Sequence, residues 1–525
     1  MKLKTVLITV FLLGMSLRSI YAQYPNVRVS SPGSMDPEEV TIAINPANPM
    51  NLAAGANISY YYYSMDGGYN WNQGNLVSPL GVYGDPCVNF DVNGNLYYAH
   101  LSNPASGYWL DRIVVQKSEN GGMSWSEGAG VGLNPPKQQD KEWLVADLTS
   151  SAFRNNLYIA WTQFDSYGGT LPRDSTRILF SHSSDFGETW SAQVRVSDRL
   201  GNCLDGDSTV EGAVPAVGPE GQVYISWSGP WGIFFDKSED GGLTFGRDVF
   251  VDSQPGGWDF NVSGIYRCDG LPVTLCDVSN SPYRGTIYIL WSDQRNGEDN
   301  TDIFLKKSID GGKTWSDLIK VNDDTSNRQQ FFPWGAVDPA TGILYVVFYD
   351  RRNTLGDTTD VYVARSMDGG ETFENFRVSE SSFLPHSNVF FGDYINIAAL
   401  NGKIYPIWMR MDGDNLSVWV AHIDDTPIAL GHRGEQIQEG FTLHPNYPNP
   451  FNSQTRISYY LPISGEVRIS VYSALGKKIA VLADEFRIAG NHSINFEVGQ
   501  LPSGIYFCEF SSGQYHQIRK MILMK

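Results

Sequence analysis

The sequence predicts an all-β chain whose larger part is a ring of repeated small sheets. Three observations predict it: an eight-residue box that recurs six times, an apolar strand unit that recurs seven times, and an N-terminal segment shaped like the strand missing from the last repeat. The box is best seen at Ser308–Trp315, "SIDGGKTW". Its other copies begin at Ser64, Ser118, Ser183, Ser238 and Ser366, and successive copies lie 54–70 residues apart. A period of that length with strand-like flanks is the mark of a repeat architecture made of sheet blades.

The box reads as a hairpin turn. Its glycine supplies a backbone angle that a side chain would oppose. Its third residue is Asp66, Asn120, Asp185, Asp240, Asp310 or Asp368. With the serine and threonine hydroxyls, that side chain can satisfy backbone groups the turn leaves unpaired. The closing aromatic buries a large ring.

Each box follows an apolar strand with no alternation, such as "NLYIAWTQ" from Asn156, "TIYILWSD" from Thr286 and "ILYVVFYD" from Ile343. A strand buried on both faces reads this way. There are seven such units and six boxes. The seventh runs to "LSVWVAHID" (Leu416–Asp424) and stops. The segment "NVRVSS" (Asn26–Ser31) resembles the fourth strands "QVRVSD", "LIKVND" and "NFRVSE" of other repeats. It is expected to complete the last blade and close the ring, which removes exposed sheet edges. The expectation is a seven-bladed β-propeller over residues 24–425.

The six boxes resemble the Asp-box of the sialidase-like (BNR) propeller families. That resemblance implies a scaffold role for the box and leaves six blades as the alternative count, because sialidases have six. Sialidases hold a substrate carboxylate with three arginines. Arg295, Arg352 and Arg410 invite the comparison, since they sit at similar places in consecutive repeats. Asp293 and Asp350 each precede an arginine by two residues, so ordinary salt bridges compete with that reading. The family's Arg-Ile-Pro motif is absent; the comparable stretch is Arg28-Val29-Ser30. Its tyrosine nucleophile has no marked counterpart, although Tyr83 and Tyr394 stand beside acids. No catalytic residue is assigned.

In a propeller the innermost strands start at the top rim of the axial channel. The segments expected there begin at Glu39, Asp85, Glu142, Glu211, Trp334 and Asp393, with the fifth blade placed only near Asp269. A ring of acids could bind a cation such as calcium, or hydrogen-bond a sugar. Alternatively, each carboxylate caps backbone N–H groups and has an ordinary acidity.

The flanks carry addresses. Lys2 and Lys4 precede the apolar run Val6–Met15, and cleavage after Ala22 is expected, which makes residues 1–22 a signal peptide. The run is short for a membrane span, and no later stretch reads as one. Residues 426–440 read as a polar linker. Residues 441–525 read as a small Ig-like β-sandwich, with turn residues every 8 to 12 positions. The Asn446–Asn452 run "NYPNPFN", the Leu475-Gly476 turn, Ser503-Gly504-Ile505-Tyr506 and the tail "KMILMK" resemble the C-terminal sorting domain of type IX secretion. That resemblance implies recognition by outer-membrane export machinery, and release from the cell or attachment to its surface.

The formal charge of −19, from 57 acids and 38 bases, opposes binding to nucleic acid or to an anionic membrane. Five cysteines leave at least one thiol free; Cys268 and Cys276 are the best candidate disulfide. The sequence thus favours an exported propeller that binds a glycan or another extracellular ligand on its top face. The alternatives are a sialidase-like exo-glycoside hydrolase and a structural or adhesive surface protein.

Overall fold

A computed structural model describes residues 24–425 and most of 442–524. The expected signal peptide, the linker, Pro445 and the Leu475-Gly476 turn lie outside the described residues. The chain divides into two compact units, with the boundary between residues 428 and 429.

The described residues of the first unit form seven antiparallel blade sheets, six of four strands and one of five, and a two-stranded hairpin. Their innermost strands are Thr41–Ile44, Cys87–Phe90, Gln138–Ala146, Glu211–Val217, Val273–Cys276, Gln330–Val337 and Asn396–Leu400. Each packs on the next, and the last packs on the first, so the sheets form a closed ring. The seventh sheet is completed by Asn26–Arg28, whose Val27 pairs with Val420 and Arg28 with Trp419. Asn26 ties this strand to the sixth sheet: its Nδ2 donates to the Val378 carbonyl at 2.9 Å and its Oδ1 accepts from the Glu380 N–H at 2.8 Å. A fifth short strand, Ile423–Asp424, also pairs with the seventh sheet.

The second strands are the core of each blade. Leu157–Phe164, Val223–Gly229, Ile287–Asp293 and Leu344–Asp350 are buried at every position. Trp161, Trp227, Trp291 and Trp408 stand at matching places in four of these second strands and are almost wholly buried. Stacked blades bury both faces of each middle strand, which explains the unbroken apolar runs.

All six boxes form the same turn. In the fifth, Ser308 Oγ donates to Asp310 Oδ1 at 2.8 Å and accepts from the Gly312 N–H at 2.9 Å. The Thr314 N–H and hydroxyl both donate to the Asp310 carboxylate, at 2.9 and 2.6 Å. These bonds hold the Asp310 carboxyl well below its usual range. The closing aromatic packs on the third strand of the preceding blade: Trp315 lies 5.2 Å from Phe235, Phe245 5.0 Å from Phe180 and Trp125 5.6 Å from Tyr61. Each turn therefore joins two blades.

The second unit is a β-sandwich. One sheet joins Thr442–Leu443, Gln454–Leu461 and Gly490–Glu497; the other joins Lys478–Arg487, Gly465–Ser473, Gly504–Ser512 and Tyr515–Leu523. Alternate residues, such as Val467, Ile469 and Val471 or Tyr506, Cys508 and Phe510, form its core.

The expected disulfide is absent. All five cysteines are free. Cys268 belongs to a hairpin with Asp259–Phe260, before the fifth inner strand, whereas Cys276 ends that strand. The two thus belong to different elements rather than to one bridged loop.

Candidate binding site at the axial mouth

The inner strands enter the axis through an irregular turn. A left-handed residue stands at the entry of six of the seven: Glu39 (φ 55°), Asp85 (52°), Lys141 (50°), Gly212 (77°), Phe332 (50°) and Gly392 (85°). Bulges interrupt the ladder between Asp140 and Trp143, Glu211 and Val214, and Phe331 and Trp334. Such bulges re-aim consecutive side chains. The acids thus stand at three different registers. Glu39 and Asp85 are themselves left-handed, Asp140 and Glu211 come one residue earlier, and Glu142 and Asp393 one later. The expected repeated position at strand starts is corrected in this respect: Glu39, Asp85 and Asp393 precede their strands, and Glu142 lies inside one. Asp269 precedes the fifth strand and lines the same pocket.

The pocket opens at this mouth. Its floor is aromatic: Trp143 lies 4.3 Å from Trp334 between ring centres, and Tyr394 lies 5.7 and 5.9 Å from the two. Asp85, Glu142, Asp269, Asp393 and Lys141 stand around it. Trp143 and Trp334 also border the wider channel below, which touches the inner strands of all seven sheets.

Two cations sit among the acids. Lys141 Nζ lies 2.7 Å from Asp393 Oδ2 and 3.8 Å from Glu39 Oε1. Arg267 grips Asp393 with Nε at 3.0 Å and Nη2, and reaches Asp205 with Nη1 at 3.2 Å. Tyr167 donates its hydroxyl to the same Asp205 oxygen at 2.6 Å. Burial pushes the Asp393 carboxyl up, but Lys141 and Arg267 overcome that and hold it well below the usual range.

The remaining acids shift the other way. Burial, reinforced by Asp85, pushes Glu142, Glu39 and Asp140 well above the carboxylate range. Burial and Asp205 do the same for Glu211. Asp269 is pushed up to about 7 by burial and by Asp393. Glu142 is 2% exposed and Glu211 0%, and neither carboxyl has a hydrogen-bond partner on either oxygen; Asp85 Oδ2 also lacks one. Glu211 therefore caps no backbone N–H, and at Glu142 the one backbone group near the carboxyl is the residue's own N–H, outside hydrogen-bond geometry. Asp269 accepts from the Leu271 N–H at 3.1 Å and Asp140 from the Lys141 N–H at 3.0 Å, as capping requires, but burial takes both away from an ordinary acidity. Among the described residues, no three Asp, Glu, His or Cys side chains converge closely enough to hold a metal ion, so the calcium expectation finds no ready-made ligand set.

The three arginines are not brought together. Arg295 Nε lies 2.9 Å from both Asp293 oxygens and its Nη2 donates to the Ser253 carbonyl. Arg352 pairs with Asp350 at 2.7 Å and with Asp323. Arg410 pairs with Asp412 at 2.9 Å and with Ser381. Each arginine reaches from the end of a second strand to chain at or just beyond the fourth strand of the preceding blade. They act as clasps between blades, and none lines the pocket. The competing salt-bridge reading describes their geometry.

Lys141 and Arg267 escaped the sequence reading. Lys141 stood in plain view between two acids in "QDKEW". Arg267 lies in the longest interval between boxes, where the extra residues form the Asp259–Phe260/Cys268–Asp269 hairpin. That excess length was its only signal.

Comparison with known proteins adds the following. Residues 446–524 match the "Secretion system C-terminal sorting domain" family. No curated protein matches the chain. Solved structures resemble it at low identity. A protein of unknown function from Dyadobacter fermentans is 11% identical, with TM-score 0.41, covering 76% of this chain and 98% of its own. The NanB sialidase from Streptococcus pneumoniae is 10% identical, with TM-score 0.43, covering 72% and 83%. A Hadza microbial sialidase is 13% identical, with TM-score 0.39, covering 72% and 75%. Residues 446–524 are a type IX secretion C-terminal sorting domain, and the chain that carries it is exported to the cell surface or beyond.

Proposed function

We propose that this protein is an exported binding protein whose propeller takes an extracellular ligand, a glycan or another polar molecule, into the axial mouth. The observation that carries the reading is Glu142: a residue in the lining of the pocket floored by Trp143, Trp334 and Tyr394, whose buried carboxyl has no geometric hydrogen-bond partner on either oxygen. A buried polar group without a partner costs about 1–3 kcal/mol, and a ligand that supplies the partner recovers it. Aromatic rings and a few convergent polar groups are the usual furniture of a small-molecule site.

A sialidase-like activity has less support. A sialoside carboxylate entering this mouth would meet Asp85, Glu142 and Asp269, while Lys141 and Arg267 are already engaged by Asp393. The export assigned to the sorting domain is consistent with either reading and with an adhesive role.

A glycan array probed with the full chain tests the proposal. Binding is expected to fall at least tenfold in Glu142→Gln and to persist in Arg352→Ala. Equal binding by wild type and Glu142→Gln would overturn it, as would turnover of a sialoside lost in Arg352→Ala.

A further inference from the structure

Beyond the site itself, the balance of charge at the mouth specifies what enters it. Asp85, Asp140, Glu142, Glu211 and Asp269 have no cation within ion-pair distance among the described residues. The local cations are spent: Lys141 on Asp393 and Glu39, Arg267 on Asp393 and Asp205. Such an excess of buried acids is costly unless the carboxyls stay protonated or a cation arrives. Glu142 is in the lining of the pocket, and neither oxygen of its buried carboxyl has a geometric hydrogen-bond partner.

We infer that the axial mouth is a site for an alkylammonium group, as carried by an amino sugar or a lysine side chain. This rests on the proposed binding role and names the chemistry of the ligand. The floor favours an organic cation, because the faces of Trp and Tyr rings attract ammonium groups. The protein supplies its own precedent: the Lys141 ammonium lies 5.9 Å over the Tyr394 ring while it pairs with Asp393. A bare metal ion would need several converging oxygen ligands, and no such group exists among the described residues.

Binding is an exchange. The protonated Glu142 carboxyl gives up its proton to solvent, and the resulting carboxylate accepts hydrogen bonds from the incoming ammonium. No covalent bond between ligand and protein forms. Asp85, Asp140 and Lys141 are the charged groups that face Glu142. The first two oppose its ionisation, and Lys141 favours it.

Calorimetry of the full chain at pH 5.5 and pH 6.5, in buffers of different ionisation enthalpy, tests the inference. The probes are glucosamine, n-butylammonium, a lysine-containing peptide, glucose, N-acetylglucosamine and calcium chloride. Amine probes are expected to bind at least tenfold more tightly than glucose or N-acetylglucosamine, with proton release and with tighter binding at pH 6.5, where every amine probe is still an ammonium. Glu142→Gln and Asp85→Asn, each checked for an unchanged melting profile, should each weaken amine binding at least tenfold. Preference for glucosamine over the lysine peptide identifies a sugar source for the amine, and the reverse identifies a peptide source. Neutral sugars that bind as well as the amines, and lose affinity in Glu142→Gln, would overturn the ammonium assignment while the binding site stands. Calcium that binds more tightly and displaces the amines would overturn it in favour of an inorganic cation. No binding by any probe, or binding unaffected by both substitutions, would overturn both the assignment and the site.

Discussion

Gly312 offers a quantitative test of how the blades are joined. Its φ is +82°, and a Cβ placed there would lie 2.7 Å from Cζ of Phe235. Phe235 is 1% exposed and is held between Tyr224, at 5.9 Å, and Trp315, at 5.2 Å. It has nowhere to go. Gly312→Ala therefore incurs about 1 kcal/mol for the left-handed backbone and a further ~1–3 kcal/mol for overpacking. Gly413 is the control. Its φ is +63°, but nothing lies within 4 Å of a Cβ built there. Gly413→Ala should cost only the backbone part, about 1 kcal/mol. Unfolding entropy near 2.1 cal/mol/K per residue gives a ring of ~400 residues about 0.8 kcal/mol per degree. Scanning calorimetry should then show a melting shift of about 2–5 °C for Gly312→Ala and about 1 °C for Gly413→Ala. Equal shifts would refute the claim that the box glycine is a contact between blades.

Two further outcomes follow from the structure. Asn26→Ala removes two hydrogen bonds between the closing strand and the sixth sheet. It should cost about 2 kcal/mol at roughly 1 kcal/mol per bond, and should speed proteolysis near residues 415–424; an unchanged melting point would show that the strand does not close the ring. Glu38 is pushed up to about 8, chiefly by burial and then by Asp36, and Asp269 to about 7. The folded state holds these protons where the unfolded state has released them. Stability should therefore fall as pH rises from about 4.5 to about 8. Asp393 has the opposite sign, but its contribution is lost only in acid below that window; His100, which burial pushes down to about 4, offsets part of the decline up to about pH 6.5. Melting temperatures measured across the window should decline, and Glu38→Gln should flatten the slope; a rising profile would contradict the assignment.

The ring was legible because repetition multiplies weak signals. Six copies of a turn and seven buried strands set a period, and the mismatch between six and seven pointed to Asn26–Arg28 as the closing strand. The site was legible only in outline. The sequence points to Glu39, Asp85, Glu142, Glu211 and Asp393 at the starts of inner strands, but a strand start is not the same place in every blade. Bulges and left-handed residues shift that register, and they leave little trace in sequence when the residue is Lys141 or Phe332 rather than glycine. Which carboxyls find a partner depends on contacts between blades far apart in the chain, such as Lys141 with Asp393. The arginines misled for the same reason: similar positions in successive repeats point outward along the ring rather than toward a common centre. The Cys268–Cys276 pairing failed because the position of the fifth inner strand was not known.

The most direct measurement is the infrared spectrum of the carboxyl groups at neutral pH, wild type minus Glu142→Gln. A buried, unpartnered Glu142 should contribute a protonated carboxyl stretch that the substitution removes, with no loss of ionised carboxylate signal. A difference spectrum with only a lost carboxylate band would mean that Glu142 is ionised and paired, and the account of the axial mouth as a site with an unpartnered carboxyl would be wrong.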